Sequence, residues 1–179
     1  TLENYMVRLA AALSLLCFFG YISIVDAETP DITKNDDLEC LALNIYHEAR
    51  SESLAGQYAV ADVTLNRVQD RRYPSTICGV VKQAVLSQWG LDRGMSIPRK
   101  NMCQFSWYCD GLPDEPVETY SWLRAQDIAR DMIFVRKYRG ITEGSTHYHA
   151  NYVNPKWSSH ESMRLIGRIG DHIFYKEEY

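Results

Sequence analysis

Residues 38–68 read LECLALNIYHEARSESLAGQYAVADVTLNRV, and the fold turns on how this stretch is read. It holds two helical patterns joined by a short break. In the first, Leu38, Leu41, Ala42, Ile45 and Ala49 recur at helical spacing and form one apolar stripe. At about 100° per residue, Glu48 falls at the edge of that stripe and not on the watery side. A carboxylate in that position is half withdrawn from water, which raises its pKa and lets it hold a proton near neutrality. A general acid needs that property. The competing reading is a solvated helix glutamate paired with a nearby cation.

The second pattern, Ala55 to Val68, is apolar almost all round through Tyr58, Ala59, Val60, Ala61, Val63, Leu65 and Val68, so it predicts a buried helix. Asp62, Thr64, Asn66 and Arg67 have little wet surface on such a helix. They call for partners in a polar cleft or on a neighbouring element.

The run Asn44-Ile45-Tyr46-His47-Glu48-Ala49-Arg50-Ser51-Glu52, followed by Gly56-Gln57-Tyr58-Ala59-Val60-Ala61 and Leu65-Asn66-Arg67-Val68, resembles the spore-cortex-lytic/cell-wall hydrolase family. That family's motif is Glu-Ala-Arg-Gly-Glu, then a Gly-Gln-x-Ala-Val-Ala helix ending in Asn-Arg-Val. Ser51 stands here where the motif usually has Gly. The resemblance continues in order through Tyr73-Pro74-Ser75-Thr76-Ile77-Cys78-Gly79-Val80-Val81, Gln104-Phe105-Ser106, His147-Tyr148-His149-Ala150, Pro155-x-Trp157 and Gly170-Asp171-His172-Ile173-Phe174-Tyr175. It implies a lysozyme-like fold and cleavage of the glycan strands of peptidoglycan.

The chain has 179 residues, 46% hydrophobic and 23% charged, which suits a single globular domain with a sizeable core. A net charge of -4 provides no basic field, so nucleic acid is not an expected partner. The 12 Tyr and 4 Trp are concentrated in the less regular second half, where aromatics either line sugar clefts or anchor loops.

Thr1 to Tyr5 precede a candidate start at Met6. Met6-Val7-Arg8, the apolar run Leu9 to Val25 and Val25-Asp26-Ala27 match a secretory signal peptide cut after Ala27. The alternative is an uncleaved signal anchor that contacts the membrane and later releases. Export is therefore expected, to periplasm, cell wall or medium. Phage lysis, wall remodelling and spore germination all suit such a domain, a short exported chain leans towards a phage-type lysin, and a monomer is expected. After Ala27 four cysteines remain, an even number suited to an oxidising compartment. They allow three pairings, of which Cys103–Cys109 and Cys40–Cys78 are favoured. Cys17 is left over in the leader and is a candidate for a redox latch.

Residues 28–37 read as a polar linker in which Asn35, Asp36 and Asp37 are helix N-cap candidates. Pro74 predicts that the second helix ends near Asp70. Thr76 heads a third helix with Ile77, Val80, Val81, Ala84 and Val85 on one face. Residues 89–114 carry loop signals, and Pro116 opens a long helix that buries Val117, Tyr120, Leu123, Ile128, Met132 and Val135. Gly140 marks its stop. His147 to Ala150 and Arg168 to Tyr175 read as strands, the latter with a Gly-Asp turn. The fold class expected is α+β, mainly α, with a small antiparallel sheet, the catalytic domain occupying residues 38–179.

Glu48 is the candidate general acid. Glu52 lies one turn on, and side chains four apart on a helix share a face with Cβ atoms about 5–6 Å apart. Two-carboxylate glycosidases flank the sugar from opposite sides, so Glu52 is expected to tune Glu48 or bind substrate. One carboxylate suffices if Glu48 protonates the leaving oxygen and then deprotonates the muramic acid 6-hydroxyl, closing a 1,6-anhydro ring. The resemblance points to the same lytic transglycosylase chemistry, with plain hydrolysis as the alternative. Gln104, Phe105 and Ser106 are cleft-wall candidates by resemblance, and Asn66 and Arg67 candidates for tying the second helix to the loop after it. Tyr148 and His149 are substrate-binding candidates, but alternate strand residues face opposite ways, so only Tyr148 or the His147/His149 pair faces substrate. The rival class is a zinc amidase built on His147 and His149, completed by His47, Glu48 or His172. No complete zinc motif of fixed spacing is present, and no metal or other cofactor is expected. A non-catalytic peptidoglycan-binding module is the third class, which predicts an aromatic groove without a half-buried acid.

Overall fold

The computed structural model describes residues 32–178. The leader, its cleavage site at Ala27 and Cys17 lie outside the described residues. Helix α1 spans Ile32–Ala49 and α2 Leu54–Gln69. The polar Asn35-Asp36-Asp37 segment is thus helical rather than a cap. Asp37 instead accepts a hydrogen bond from the Cys78 backbone at 2.9 Å, tying α1 to the third helix. Ser53 caps α2 by accepting from Gly56 N at 3.2 Å, and α2 stops at Asp70, as Pro74 requires.

Thr76 does cap α3, but α3 ends at Val81 (Ile77–Val81). Ala84 and Val85 belong instead to β1 (Ala84–Leu86), paired antiparallel with β2 (Pro98–Cys103). Helix α4 (Gln88–Leu91) lies between these strands, and a 3-10 turn over Ser106–Cys109 follows them. The expected loop is therefore largely structured. Cys40 is bonded to Cys78 and Cys103 to Cys109.

Helix α5 is Thr119–Arg130, running into a π turn at Asp131–Val135. It begins after Pro116 because the Tyr46 hydroxyl accepts from the backbone N–H groups of Val117 and Glu118, each at 3.1 Å. Its buried stripe is Ala125, Ile128, Ala129 and Met132, whose small members let α1 approach. Tyr120 and Leu123 lie about 80° and 140° round from Ile128 and are exposed, as are Val117 and Val135, contrary to expectation. Gly140 is not the helix stop but a turn position at φ +88°.

A three-stranded antiparallel sheet closes the chain, with β5 (His172–Glu177) between β3 (His147–Ala150) and β4 (Met163–Ile169). Gly170 makes the β4–β5 turn with φ +60°. α2 faces two apolar clusters. Tyr58 and Ala61 join α1, α3, α5 and the rings of Phe105 and Trp107, while Ala59 and Val63 meet Phe174 of the sheet. This double contact is why α2 is apolar nearly all round. Among the described residues no helix is long and apolar enough to cross a membrane.

Candidate functional site

Glu48 stands near the C-terminal end of α1, partly buried where the helix faces β3. The Tyr148 hydroxyl donates to its Oε2 at 3.0 Å. Burial pushes the Glu48 carboxyl above the ordinary carboxylate range; the Tyr148 hydrogen bond and the positive charge of Arg67 act the other way. Burial and the nearby Glu48 hold the Tyr148 phenol well above its usual value, so Tyr148 stays a neutral donor.

Arg67 reaches the same place from α2. Its Nε donates to Thr146 O at 2.8 Å, and its guanidinium lies over the rings of Tyr73 and Phe105, at 5.4 and 5.2 Å from their centroids. Among the described residues its buried Nη1 has no hydrogen-bond partner. The expectation that α2's polar residues need partners holds for Asp62, Thr64, Asn66 and the Arg67 Nε; apart from Thr64, which accepts from Asn44 of α1, the partners lie in residues 139–146 and not in the loop that follows α2. Asp62 bonds Arg139, Gly140 and Thr142. Asn66 donates to Thr142 Oγ1 and Ser145 O. Sequence reasoning left Arg67 as a structural residue and missed its place beside Glu48. The available signal was a guanidinium on a helix with no wet face.

Glu52 is turned elsewhere. Its Oε2 accepts from Asp171 N at 3.0 Å in the β4–β5 turn, and Oε1 lies 3.6 Å from His172 Nδ1. A Cβ on Gly170 would run into the Glu52 carboxylate, so a side chain there would displace Glu52 from the turn as well as strain the φ of +60°. Glu52 thus holds the hairpin against the α1–α2 junction.

Of the β3 candidates, Tyr148 faces Glu48. His149 and His147 point to the opposite face, where both pack around Trp157 and His149 Nε2 lies 3.2 Å from the Tyr175 hydroxyl. That alternation comes from the strand pleat, and β5 sets its direction by pairing Tyr148 with the buried Phe174. His47 stacks on Trp107 and bonds Asp114 O, away from both strand histidines. No group of three His, Cys, Asp or Glu suited to a metal converges among the described residues. Phe105 is buried beneath Arg67, whereas Gln104 and Ser106 on either side of it are exposed. The Trp107 indole donates to buried Asn44, which donates to Thr64, locking this segment to α1 and α2.

Chemically, the arrangement offers one carboxyl on which burial favours the proton, a neutral phenol donating to it, and a cation that favours the carboxylate form.

The model of the family described as Cell Wall Hydrolase matches residues 51–175; Glu48 lies just ahead of that match. A spore cortex-lytic enzyme of Oceanobacillus iheyensis is 29% identical over 150 residues, which is 82% of this chain and 44% of the relative. The spore cortex-lytic enzyme of Bacillus subtilis (strain 168) is 40% identical over 57 residues, 32% of this chain and 19% of that protein. The matched stretches thus span less than half the length of these curated relatives. Among solved structures, the catalytic domain of the germination-specific lytic transglycosylase SleB from Bacillus anthracis superposes with a TM-score of 0.52 at 25% identity, covering 83% of this chain and 100% of that one.

Proposed function

Because the chain belongs to the cell wall hydrolase family, we propose that it degrades peptidoglycan by cutting the MurNAc–GlcNAc glycosidic bond, as a lytic transglycosylase with Glu48 as general acid and then general base. The observation that carries this reading is the pairing of a partly buried Glu48 with Tyr148 and Arg67 while Glu52 is committed to the hairpin backbone. Glu48 gives its proton to the leaving GlcNAc oxygen as the C1–O bond breaks. The resulting carboxylate then takes the proton from the muramic acid 6-hydroxyl, whose oxygen closes on C1. The product is 1,6-anhydro-MurNAc, no water is consumed, and Glu48 ends protonated as it began.

The carboxylate exists only between these two steps. Tyr148 and Arg67, the groups that favour the ionised form, act in that interval. Positioning of the sugar is assigned to exposed Gln104 and Ser106 beside the site. An exported setting, and membrane contact through the apolar run 9–25, belong to the same proposal, as does action as a monomer.

Mass spectrometry of products from purified peptidoglycan tests the reading, comparing wild type, Glu48→Gln and EDTA-treated enzyme. Anhydro-muropeptides that vanish in Glu48→Gln and survive EDTA are the expected result. Reducing-end sugars carrying an added water would make the enzyme a hydrolase. Free stem peptides lost on chelation would replace this reading with an amidase using His147 and His149.

A further inference from the structure

Between α3 and the 3-10 turn the chain leaves the helical body as the β1–β2 ribbon, whose far end is closed by α4 and the turn after it. This tip is locally well made. Ser87 N donates to Ile97 O at 2.8 Å, Met95 N donates to Gly90 O at 3.0 Å, and Gly90 is buried against Met95 and Ile97. Its hydrogen-bonded backbone nonetheless holds Leu86, Trp89, Leu91, Met95 and Ile97 in water, each 37–58% exposed. No helix or strand of the described body packs extensively on α4. An ordered cluster of large apolar side chains left exposed among the described residues marks an interaction surface.

The same segment is locally basic in an acidic protein. Arg93, Arg99 and Lys100 are exposed on it against the single acid Asp92, in a chain of net charge -4. The Arg93 guanidinium lies 4.3 Å from the Trp89 ring centroid and donates to Trp89 O at 3.0 Å, holding a cation beside the indole.

We propose that this tip docks on an anionic lipid bilayer, with Trp89, Leu91, Met95 and Ile97 entering the interfacial layer and Arg93, Arg99 and Lys100 meeting headgroup phosphates. The composition selects this partner. Sugars are gripped by aromatic faces framed by amides and carboxylates, whereas here aliphatic and thioether side chains dominate and Arg93 lies over the one indole. Apolar side chains beside Lys and Arg suit the boundary between acyl chains and anionic headgroups, where Trp also partitions. A second copy would bring three cations against their own images across a two-fold interface. Because β2 runs directly into Gln104 and Phe105, docking at the tip holds the Glu48 site close to the membrane surface. The proposal is independent of which glycosidic product forms.

The test uses the full chain with vesicles of phosphatidylcholine, alone or mixed with phosphatidylglycerol, in ordinary and brominated-acyl forms. Anionic vesicles should shift tryptophan emission to the blue, and brominated chains should quench it. Both signals should be absent in Trp89→Phe, which assigns them to the tip even if another segment also binds. Reversing the three cations (Arg93→Glu, Arg99→Glu, Lys100→Glu) should weaken the Trp89 signal's vesicle dependence by roughly a hundredfold, at about one kcal/mol for each cation lost. Vesicle-bound protein whose Trp89 emission is unchanged overturns the proposal, and so does protein that does not bind anionic vesicles at all. If the triple variant instead loses cosedimentation with purified sacculi while Trp89 ignores lipid, the tip grips wall polymer and the proposal fails. Dimerisation that Trp89→Ser abolishes would likewise replace it with self-association.

Discussion

Helix α2 carries two buried charged groups five residues apart, and they are finished differently. Asp62 is fully buried, and both its oxygens are used: Oδ1 by Arg139 and Gly140 N, Oδ2 by Thr142 N and Oγ1. Arg67 is 3% exposed, spends Nε on Thr146 O and, among the described residues, leaves Nη1 without a hydrogen bond. Burial lowers the Arg67 pKa, while Tyr148, Tyr73 and Glu48 hold it up. The satisfied cluster pins residues 139–146 to α2 and so delivers β3 at a fixed height. The unfinished cluster sits beside Glu48, where the proposed reaction makes charge appear and disappear. Complete pairing belongs to architecture and incomplete pairing to chemistry, since a group already saturated has nothing left for a transition state.

Substitutions can break or sharpen that contrast. The largest effect is expected for Glu48→Gln, which should cut glycan release by roughly a thousandfold, as loss of a general acid does. Its stability should move the other way. The folded-state pKa of Glu48 is raised, so the protonated acid's contribution is fully present below the unfolded value near 4.5 and is lost as pH rises through the folded value. Glutamine cannot ionise, so the variant's urea midpoint should match wild type in acid and exceed it above neutrality. Asp62→Ala should do the opposite, losing about 3 kcal/mol in urea unfolding because Arg139 and the Thr142 backbone are stranded. If the contrast is right, any folded Asp62→Ala protein retains the wild-type pH profile.

Tyr148→Phe should have the smallest effect and the most specific one. Glu48 must be protonated to act, so kcat/KM falls as pH rises through its pKa. Removing the phenol removes a bond that favours the carboxylate, so that limb should move to higher pH with the rate reduced about tenfold. A pH–rate profile for soluble glycan fragments reads it directly. An unmoved limb would mean that Tyr148 does not act on Glu48.

The likeness between expectation and structure follows the range of the forces involved. Helices α1 and α2, the Thr76 cap and the Gly170 turn were legible because each is decided by residues within a turn of one another. Residues 84–103 were not, since they bury little and carry no strong period; a two-stranded ribbon there depends on pairing across residues 84 and 103. Helix α5 was found with Ile128 and Met132 buried as expected, but Val117, Tyr120, Leu123 and Val135 were wrongly put on its buried face, because Ala125 and Ala129 carry little hydrophobic weight in a sequence yet decide how closely α1 approaches.

The same division holds at the candidate site. Residues 38–68 alone determined that a glutamate would lie at the edge of an apolar stripe, beside a helix whose polar residues must find partners, because helical geometry is set within a few residues. That Tyr148 rather than His147 or His149 would meet Glu48, and that Glu52 would be drawn off to the Asp171 backbone, was decided only in three dimensions. Strand pleat restricts β3 to two choices, and a one-residue slip would exchange them. Packing of Phe174 beneath Tyr148, and the Asp62 clip on the preceding loop, select one. Those contacts join residues 26 and 80 positions apart, beyond the reach of any local pattern.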